Sequence, residues 1–174
     1  MAEEFGRDLA ILVAPDGEET GVVDKLVAHQ PPGQLHLAFS VFLFADDGSL
    51  LIQRRAATKY HFPLAWANSC CSHPQPGDLI TSAELRVKEE LGLICELSPA
   101  GNFTYRASCA VSGLVEHEFD WVLVGSINGS VHPDPNEVAE WRFLPSTSFA
   151  QAAKSSEFAP WFSPALEIAL GAID

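Results

Sequence analysis

The chain has 174 residues, with 10 Lys and Arg against 23 Asp and Glu, for a formal charge of −13. Its 47% hydrophobic and 19% charged residues suit one globular domain with a sizeable core and exclude a disordered acidic chain. The charge also excludes a bulk electrostatic partnership with nucleic acid or anionic lipid, so any anion site must be a local gathering of cations.

No apolar stretch approaches the ~20 residues that a spanning helix needs, so no membrane association is expected. The start, Met-Ala-Glu-Glu-Phe-Gly-Arg, lacks the basic-then-apolar order of a secretory signal. Cys70, Cys71, Cys95 and Cys109 are irregularly spaced and read as free thiols of a reducing, cytoplasmic setting. One domain over residues 1–174 is expected, with 1–8 as a flexible terminus and no oligomer implied.

In chain order, Leu9 to Ala14 is apolar and β-prone and runs into the turn Pro15-Asp16-Gly17. Val22 to Val27 reads as a partner strand, and Gln30-Pro31-Pro32-Gly33 breaks the chain before Leu35. Leu35 to Phe44, the turn Asp46-Asp47-Gly48 and Leu50 to Ile52 give the clearest hairpin signal. Residues 56–63 form a polar, aromatic loop, and Trp66 to Cys71 is extended. Asp78 caps a helix over Leu79 to Leu91 that Gly92 stops, with Leu79, Ala83, Val87 and Leu91 as its buried stripe. Phe103 to Ala107, Phe119 to Ile127 and Val138 to Phe143 read as strands. Ser146 or Thr147 caps a short helix to Ala153, and a last helix follows Pro164. The order suggests an α/β (α+β) domain, a mixed sheet covered by helices.

Four groups of residues carry chemistry. In Cys70-Cys71-Ser72-His73-Pro74, Cys71 and His73 point to one side if the segment is extended. They could share a metal, divide an acid/base role from a ligand role, or be a buried thiol and a surface imidazole. In Glu116-His117-Glu118 the two carboxylates share a face and need a cation, a shared proton or water. Flanking Val115, Phe119, Trp121 and Val122 make that strand look buried, where an unpaired acidic pair is costly. With His29 and His36, on either side of the Pro-Pro-Gly break, His73, Glu116 and Glu118 make a mixed nitrogen and oxygen set that suits Mn, Fe, Zn or Mg. Lastly, Lys25, Arg54, Arg55, Lys59, Arg86 and Lys88 are six of the ten basic residues. Only one of the adjacent Arg54 and Arg55 can face inward on a strand. Arg86 and Glu90 stand one helical turn apart, as a routine ion pair or as a phosphate donor beside a cation ligand.

The sequence resembles the type 1 isopentenyl-diphosphate Δ-isomerases, a branch of the Nudix fold. The likeness rests on Leu35-His36-Leu37-Ala38-Phe39-Ser40, Gln53-Arg54-Arg55-Ala56, Trp66-Ala67-Asn68-Ser69-Cys70-Cys71-Ser72-His73-Pro74, Glu89-Glu90-Leu91-Gly92, Tyr105-Arg106-Ala107 and Glu116-His117-Glu118, and runs from about Val13 to Trp161-Phe162-Ser163-Pro164. It implies a single Nudix-like domain, a mixed sheet between helices, that interconverts isopentenyl and dimethylallyl diphosphate by adding a proton at one carbon and removing one at another.

Carried over by position, the resemblance implies that Cys71 and Glu118 are the catalytic pair on opposite faces of the substrate, with Tyr105 bonded on the Glu118 side. His29, His36, His73, Glu116 and Glu118 would hold a first divalent metal, Mn²⁺, Zn²⁺ or Mg²⁺. Glu90 would hold a Mg²⁺ that also contacts the diphosphate. Lys25, Arg55, Lys59 and Arg86 would clamp that diphosphate, and Trp161 would lie against the prenyl carbons. The expected partner is a small-molecule diphosphate. Cys70, Cys95, Cys109, His61, His117 and His132 are left with packing or surface roles.

The Nudix hydrolase box asks for Arg-Glu immediately before Val87, where this chain has Leu85-Arg86, although Glu89-Glu90 and Gly92 remain. That departure argues against a hydrolase of nucleoside diphosphate derivatives, the first alternative. A non-enzymatic, metal-stabilised binding module is the second, and the acid-rich ligand set suits it poorly because closed structural zinc sites favour cysteine.

Overall fold

The computed structural model describes residues 9–174, so the expectation of a flexible terminus over 1–8 lies outside the described residues. The strands are β1 (Leu9–Val13), β2 (Glu19–Asp24), β3 (His36–Phe44), β4 (Leu50–Arg55), β5 (Trp66–Ala67), β6 (Cys70–Ser72), β7 (Ser98–Ser108), β8 (Val115–Ser126) and β9 (Val138–Leu144). The helices are α1 (Lys25–His29), α2 (Leu79–Leu91), α3 (Phe149–Ala152) and α4 (Phe162–Ile173), with a 3₁₀ turn at Ser146–Ser148.

All nine residues of β3 are buried, and this strand organises the sheet. It runs parallel to β8 from His36↔Glu118 to Phe44↔Ser126, and antiparallel to β6 through Ser40↔Cys71. The hairpin expected between β3 and β4 is confined to the single pair Phe44↔Leu50. The turn is local chemistry, but beyond it each strand pairs over a longer register with another strand, β3 with β8 and β4 with β9. For β4 that partner is antiparallel β9, from Leu50↔Leu144 to Arg55↔Val138.

Helices cover both faces, as expected from the element order. On one face Phe39, Val41 and Leu43 pack with Ala83, Val87 and Leu91 of α2. On the other, Phe42, Phe44 and Val122 pack with Phe162, Ala165 and Leu166 of α4. The bounds of α2 follow from its ends. Asp78 accepts from the Thr81 amide at 2.7 Å, and Gly92 takes the left-handed conformation (φ 69°), where a Cβ would lie 2.9 Å from the His132 carbonyl.

Several boundaries differ from the sequence reading, among them the starts of β7 (Ser98, expected at Phe103) and β8 (Val115, expected at Phe119), and some of them place site residues. The strand expected over Val22 to Val27 stops at Asp24, whose carboxylate accepts from the amides of Leu26 and Val27 and starts α1. A cap thus outweighs β-propensity, and Lys25 and His29 land one turn apart on one side of a short helix. The last helix begins at Phe162, two residues before Pro164, because a first-turn proline gives up only an N–H that has no helical partner. Trp161 therefore sits at its N-cap. Neither Ser146 nor Thr147 makes a side-chain cap bond, and the 3₁₀ turn leads into α3 instead. Among the described residues no helix is long and apolar enough to cross a membrane.

Candidate active site

The parallel register of β3 and β8 builds one end of the site. Strand alternation turns Glu116, Glu118 and Asp120 toward the face on which Val122 meets α4, while His117 points away, its Nδ1 3.1 Å from the Gly33 carbonyl. Three imidazoles join the two glutamates. His29 Nδ1 donates to the Lys25 carbonyl (2.6 Å) and His36 Nδ1 to the Gln34 carbonyl (2.7 Å), so each keeps an Nε2 lone pair facing inward. His29 Nε2 is 3.3 Å from Glu116 Oε2, His73 Nε2 is 2.9 Å from Glu118 Oε1, and His36 Nε2 is 3.1 Å from His73 Nε2. One ligand atom from each of His29, His36, His73, Glu116 and Glu118 lies within 4.8 Å of all the others.

The electrostatics of this cluster call for a cation. Burial, then the neighbouring His36, lowers His29 to about 4, and burial lowers His73 well below its usual value, so both are neutral donors of a lone pair. Burial and the charge of Glu118 push Glu116 well up. Burial alone would also raise Glu118, but bonds from Glu116, His36 and His73 hold it well below the usual carboxylate range. The pair thus shares a proton. His29 Nε2 and Glu116 Oε2 are buried with no hydrogen-bond partner, an expensive arrangement that a divalent ion among these donors would relieve.

Beside the cluster, Tyr105 of β7 donates from its hydroxyl to Glu118 Oε2 at 2.6 Å. Burial and the Glu118 charge raise the Tyr105 phenol well above its ordinary value, which keeps it a donor. Across the same cavity Cys71 and Trp161 meet at Asn68, which is fully buried. Asn68 anchors its amide nitrogen on the carbonyls of Val41 (2.9 Å) and Cys70 (3.0 Å), leaving Oδ1 to accept from Cys71 Sγ (3.0 Å) and Trp161 Nε1 (3.1 Å). The indole N–H also reaches Cys71 Sγ at 3.1 Å. Burial pushes the Cys71 thiol up to about 12 against the pull of Arg55. Phe62 and Tyr105 pack about Trp161, with ring centroids at 5.6 and 6.1 Å, and the Arg55 guanidinium lies 5.3 Å from its ring.

Lys25, Arg55, Lys59 and Arg86 also line this cavity, whose volume is about 890 Å³. Burial, then the charges of Lys59, Arg86 and Arg55, lower the Lys25 ammonium, with Glu116 pulling the other way. Three cations close enough to depress a fourth make a local gathering of positive charge within a chain of charge −13. Glu137 pairs with Lys59 and lies 3.5 Å from Arg86 Nη2. Arg86 further binds Glu89 (2.7 Å) and Glu90 (2.6 Å).

A NUDIX domain model matches residues 34–162. Isopentenyl-diphosphate Delta-isomerase of Nocardia farcinica is 46% identical over 91% of this chain and 92% of its own length. The chain belongs to this Nudix-fold isomerase family. Isopentenyl-diphosphate Delta-isomerases of Streptomyces griseus (46% identical, 93% of this chain and 83% of the relative) and Halorhodospira halophila (40%, 87% and 89%) agree. Among solved structures, a Deinococcus radiodurans protein superposes with a TM-score of 0.70 at 20% identity, over 92% of this chain and 98% of its own. A Methanosarcina mazei MutT protein gives 0.64 at 15%, over 76% and 91%. These two bear on the fold alone.

Within this isomerase fold, ten of the expected site residues line the cavity: Lys25, Arg55, Lys59, Cys71, His73, Arg86, Tyr105, Glu116, Glu118 and Trp161. His29 and His36 stand behind them in the metal-ligand cluster. Glu90 is the exception. It is buried beneath Arg86, receives Gln53 Nε2 at 3.1 Å, and has Cys70 Sγ 3.5 Å away, while its neighbour Glu89 reaches the cavity wall. His61, for which a packing or surface role is expected, packs within the site. It is buried beside His29, ring centroids 4.1 Å apart, with Nδ1 3.3 Å from Glu116 Oε1. Nothing in the sequence of its loop gave that away. Asn68 lay in plain view between Trp66 and Pro74, but its two-way hydrogen bonding emerges only with the fold. Asp120, also unforeseen, is buried and accepts from Ser40 Oγ at 2.7 Å.

Proposed function

We propose that this chain interconverts isopentenyl and dimethylallyl diphosphate, with Cys71 and Glu118 as the groups that exchange protons with the substrate. One observation carries the reading. A protonated thiol and a hydrogen-bonded carboxylate face one cavity that four cations and the rings of Trp161 and Tyr105 also line. A hydrolase of phosphoanhydrides has no use for the thiol and the aromatic end.

Chemistry assigns the parts. Lys25, Arg55, Lys59 and Arg86 bind the diphosphate, each charged hydrogen bond contributing about 1.5–3 kcal/mol. Arg86 then trades a carboxylate for phosphate oxygens, as does Lys59 with Glu137. The hydrocarbon end lies against Trp161. Adding a proton to the terminal alkene carbon makes a tertiary carbocation, and an indole face stabilises a desolvated cation by about 2 kcal/mol. The aromatic wall excludes water, which would otherwise capture that cation. Loss of a proton from the methylene on the other side completes the shift. Cys71 and Glu118 work from opposite sides, Tyr105 holding the Glu118 carboxylate and Asn68 holding the thiol.

The donor set of His29, His36, His73, Glu116 and Glu118 fits Mn²⁺, Zn²⁺ or Mg²⁺. Such an ion, when bound, would fix the ionised form and orientation of Glu118. Glu90, or Glu89 at the cavity wall, would hold a Mg²⁺ shared with the diphosphate. The test is incubation of the purified protein with isopentenyl diphosphate and Mg²⁺, beside a panel of nucleoside diphosphate derivatives. Dimethylallyl diphosphate without phosphate release is the expected result. Phosphate or nucleotide release from the panel, with no allylic product, would reverse the reading.

A further inference from the structure

His61 is an imidazole with no assigned task in a place that penalises one. Only 4% of its surface is exposed, and neither Nδ1 nor Nε2 has a hydrogen-bond partner. A buried polar atom without a partner costs about 1–3 kcal/mol, so an apolar side chain would pack here at less expense. The loop nonetheless holds the ring firmly. Arg55 donates from Nε (3.1 Å) and Nη2 (3.0 Å) to the His61 carbonyl, and the Tyr60 ring meets the imidazole edge-on with centroids 4.9 Å apart. The next residue, Phe62, is kept at φ +46°, a left-handed conformation that costs an ordinary residue about 1–2 kcal/mol. Such strain persists only where the surroundings over-determine the backbone.

What the ring faces is Glu116. The two oxygens of that carboxylate divide their surroundings: Oε2 lies 3.3 Å from His29 Nε2 inside the ligand cluster, and Oε1 lies 3.3 Å from His61 Nδ1 outside it. A carboxylate that gives one oxygen to a cation keeps lone pairs on the other, and in a buried setting that oxygen needs a donor. His61 lies outside the five residues whose ligand atoms converge. It therefore stands one step behind them.

We propose that His61 is a positioning residue of the metal centre: with a cation in the cluster, its Nδ1–H turns onto Glu116 Oε1, 3.3 Å away, and keeps Oε2 aimed at the cation. The inference rests on the reading of His29, His36, His73, Glu116 and Glu118 as the ligands. It makes metal affinity, before any turnover, depend on a loop residue between β4 and β5.

The experiment measures the Zn²⁺ dissociation constant by chelator competition for the wild-type protein, His61→Ala, His61→Asn and His36→Ala, with zinc alone as the probe. His61→Ala is expected to bind Zn²⁺ about 10–100-fold more weakly, as when other partners of metal ligands are removed. His61→Asn, which can place an N–H near the position of Nδ1, is expected to recover part of that loss. Wild-type affinity in His61→Ala, with binding lost in His36→Ala, overturns the role of His61 and leaves the ligand set standing. Wild-type affinity in His36→Ala overturns the ligand set itself. Should His61→Ala fail to fold, nitrogen NMR of the zinc-loaded wild-type protein decides. A protonated Nδ1 on His61 supports the proposal, and an Nδ1 that carries the lone pair overturns it.

Discussion

Replacing Cys71 by Ala isolates chemistry from folding unusually well, because of how its neighbours are bonded. The thiol donates to Asn68 Oδ1 (3.0 Å) and accepts from Trp161 Nε1 (3.1 Å), so its removal takes one partner from each of two buried groups. Those two groups, however, already bond each other at 3.1 Å. Neither is stranded, and the penalty of about 1–3 kcal/mol for an unpaired buried group does not arise. What remains is the loss of one sulfur atom from a cavity wall, about 1 kcal/mol by the scale for a buried methylene. General acid or base catalysis by a positioned side chain contributes 10²–10⁴-fold, or about 2.7–5.4 kcal/mol of barrier. Turnover of isopentenyl diphosphate followed by proton NMR should therefore show kcat lower by about that factor. KM and the thermal midpoint should stay near wild type. A folded Cys71→Ala protein with kcat within about threefold of wild type would refute the assignment.

Glu118→Gln is expected to lose about 10²–10⁴-fold in kcat, and Tyr105→Phe less, since it removes one hydrogen bond to the Glu118 carboxylate and not the carboxylate itself. Equal losses in initial-rate assays would mean that Tyr105 does more than hold Glu118. Lys59→Ala should raise KM about tenfold with a smaller effect on kcat, matching a lost charged hydrogen bond to the diphosphate, and an unchanged KM removes Lys59 from the clamp. In the metal-free protein, His29 and His61 should stay neutral until about pH 4 and 3, because burial disfavours their charged forms. Each is protonated near 6.5 once unfolded, so acid favours the unfolded chain by up to about 1.4 kcal/mol per pH unit per imidazole below 6.5. Imidazole NMR titration checks this, and a midpoint near 6.5 for either ring contradicts it. Glu116, whose raised carboxyl holds a proton that the unfolded chain gives up, acts in the opposite sense above its ordinary value.

Features governed by local chemistry were legible from the sequence. Asp78 and Gly92 bound α2 because a cap and a left-handed glycine act within one turn. The residues that gather at the cavity were legible through motif order, since Cys71, His73, Glu116 and Glu118 lie in short, ordered segments. What escaped depends on distant partners. The hairpin signal at Asp46-Asp47-Gly48 was sound, yet the strands it joins part after one pair because β8 and β9 bury them better. The burial of Glu90 under Arg86, with Glu89 at the cavity wall, likewise depends on the fold and has no sequence signature. His61 sits in a loop without periodicity, so its approach to Glu116 has no sequence signature. The charge of −13 described the surface well. It was silent about the four cations that the fold collects at one cavity.

The central claim is that protons pass between the substrate and ionisable side chains on two sides of it. The most direct measurement runs the reaction in deuterium oxide with Mg²⁺ and follows isopentenyl diphosphate by proton and deuterium NMR. The account requires dimethylallyl diphosphate whose new methyl group carries solvent deuterium, formed about 10²–10⁴-fold more slowly by the Cys71→Ala and Glu118→Gln proteins. Product whose methyl group gains no deuterium would mean that hydrogen moves within the substrate, and the two-sided proton exchange would be wrong.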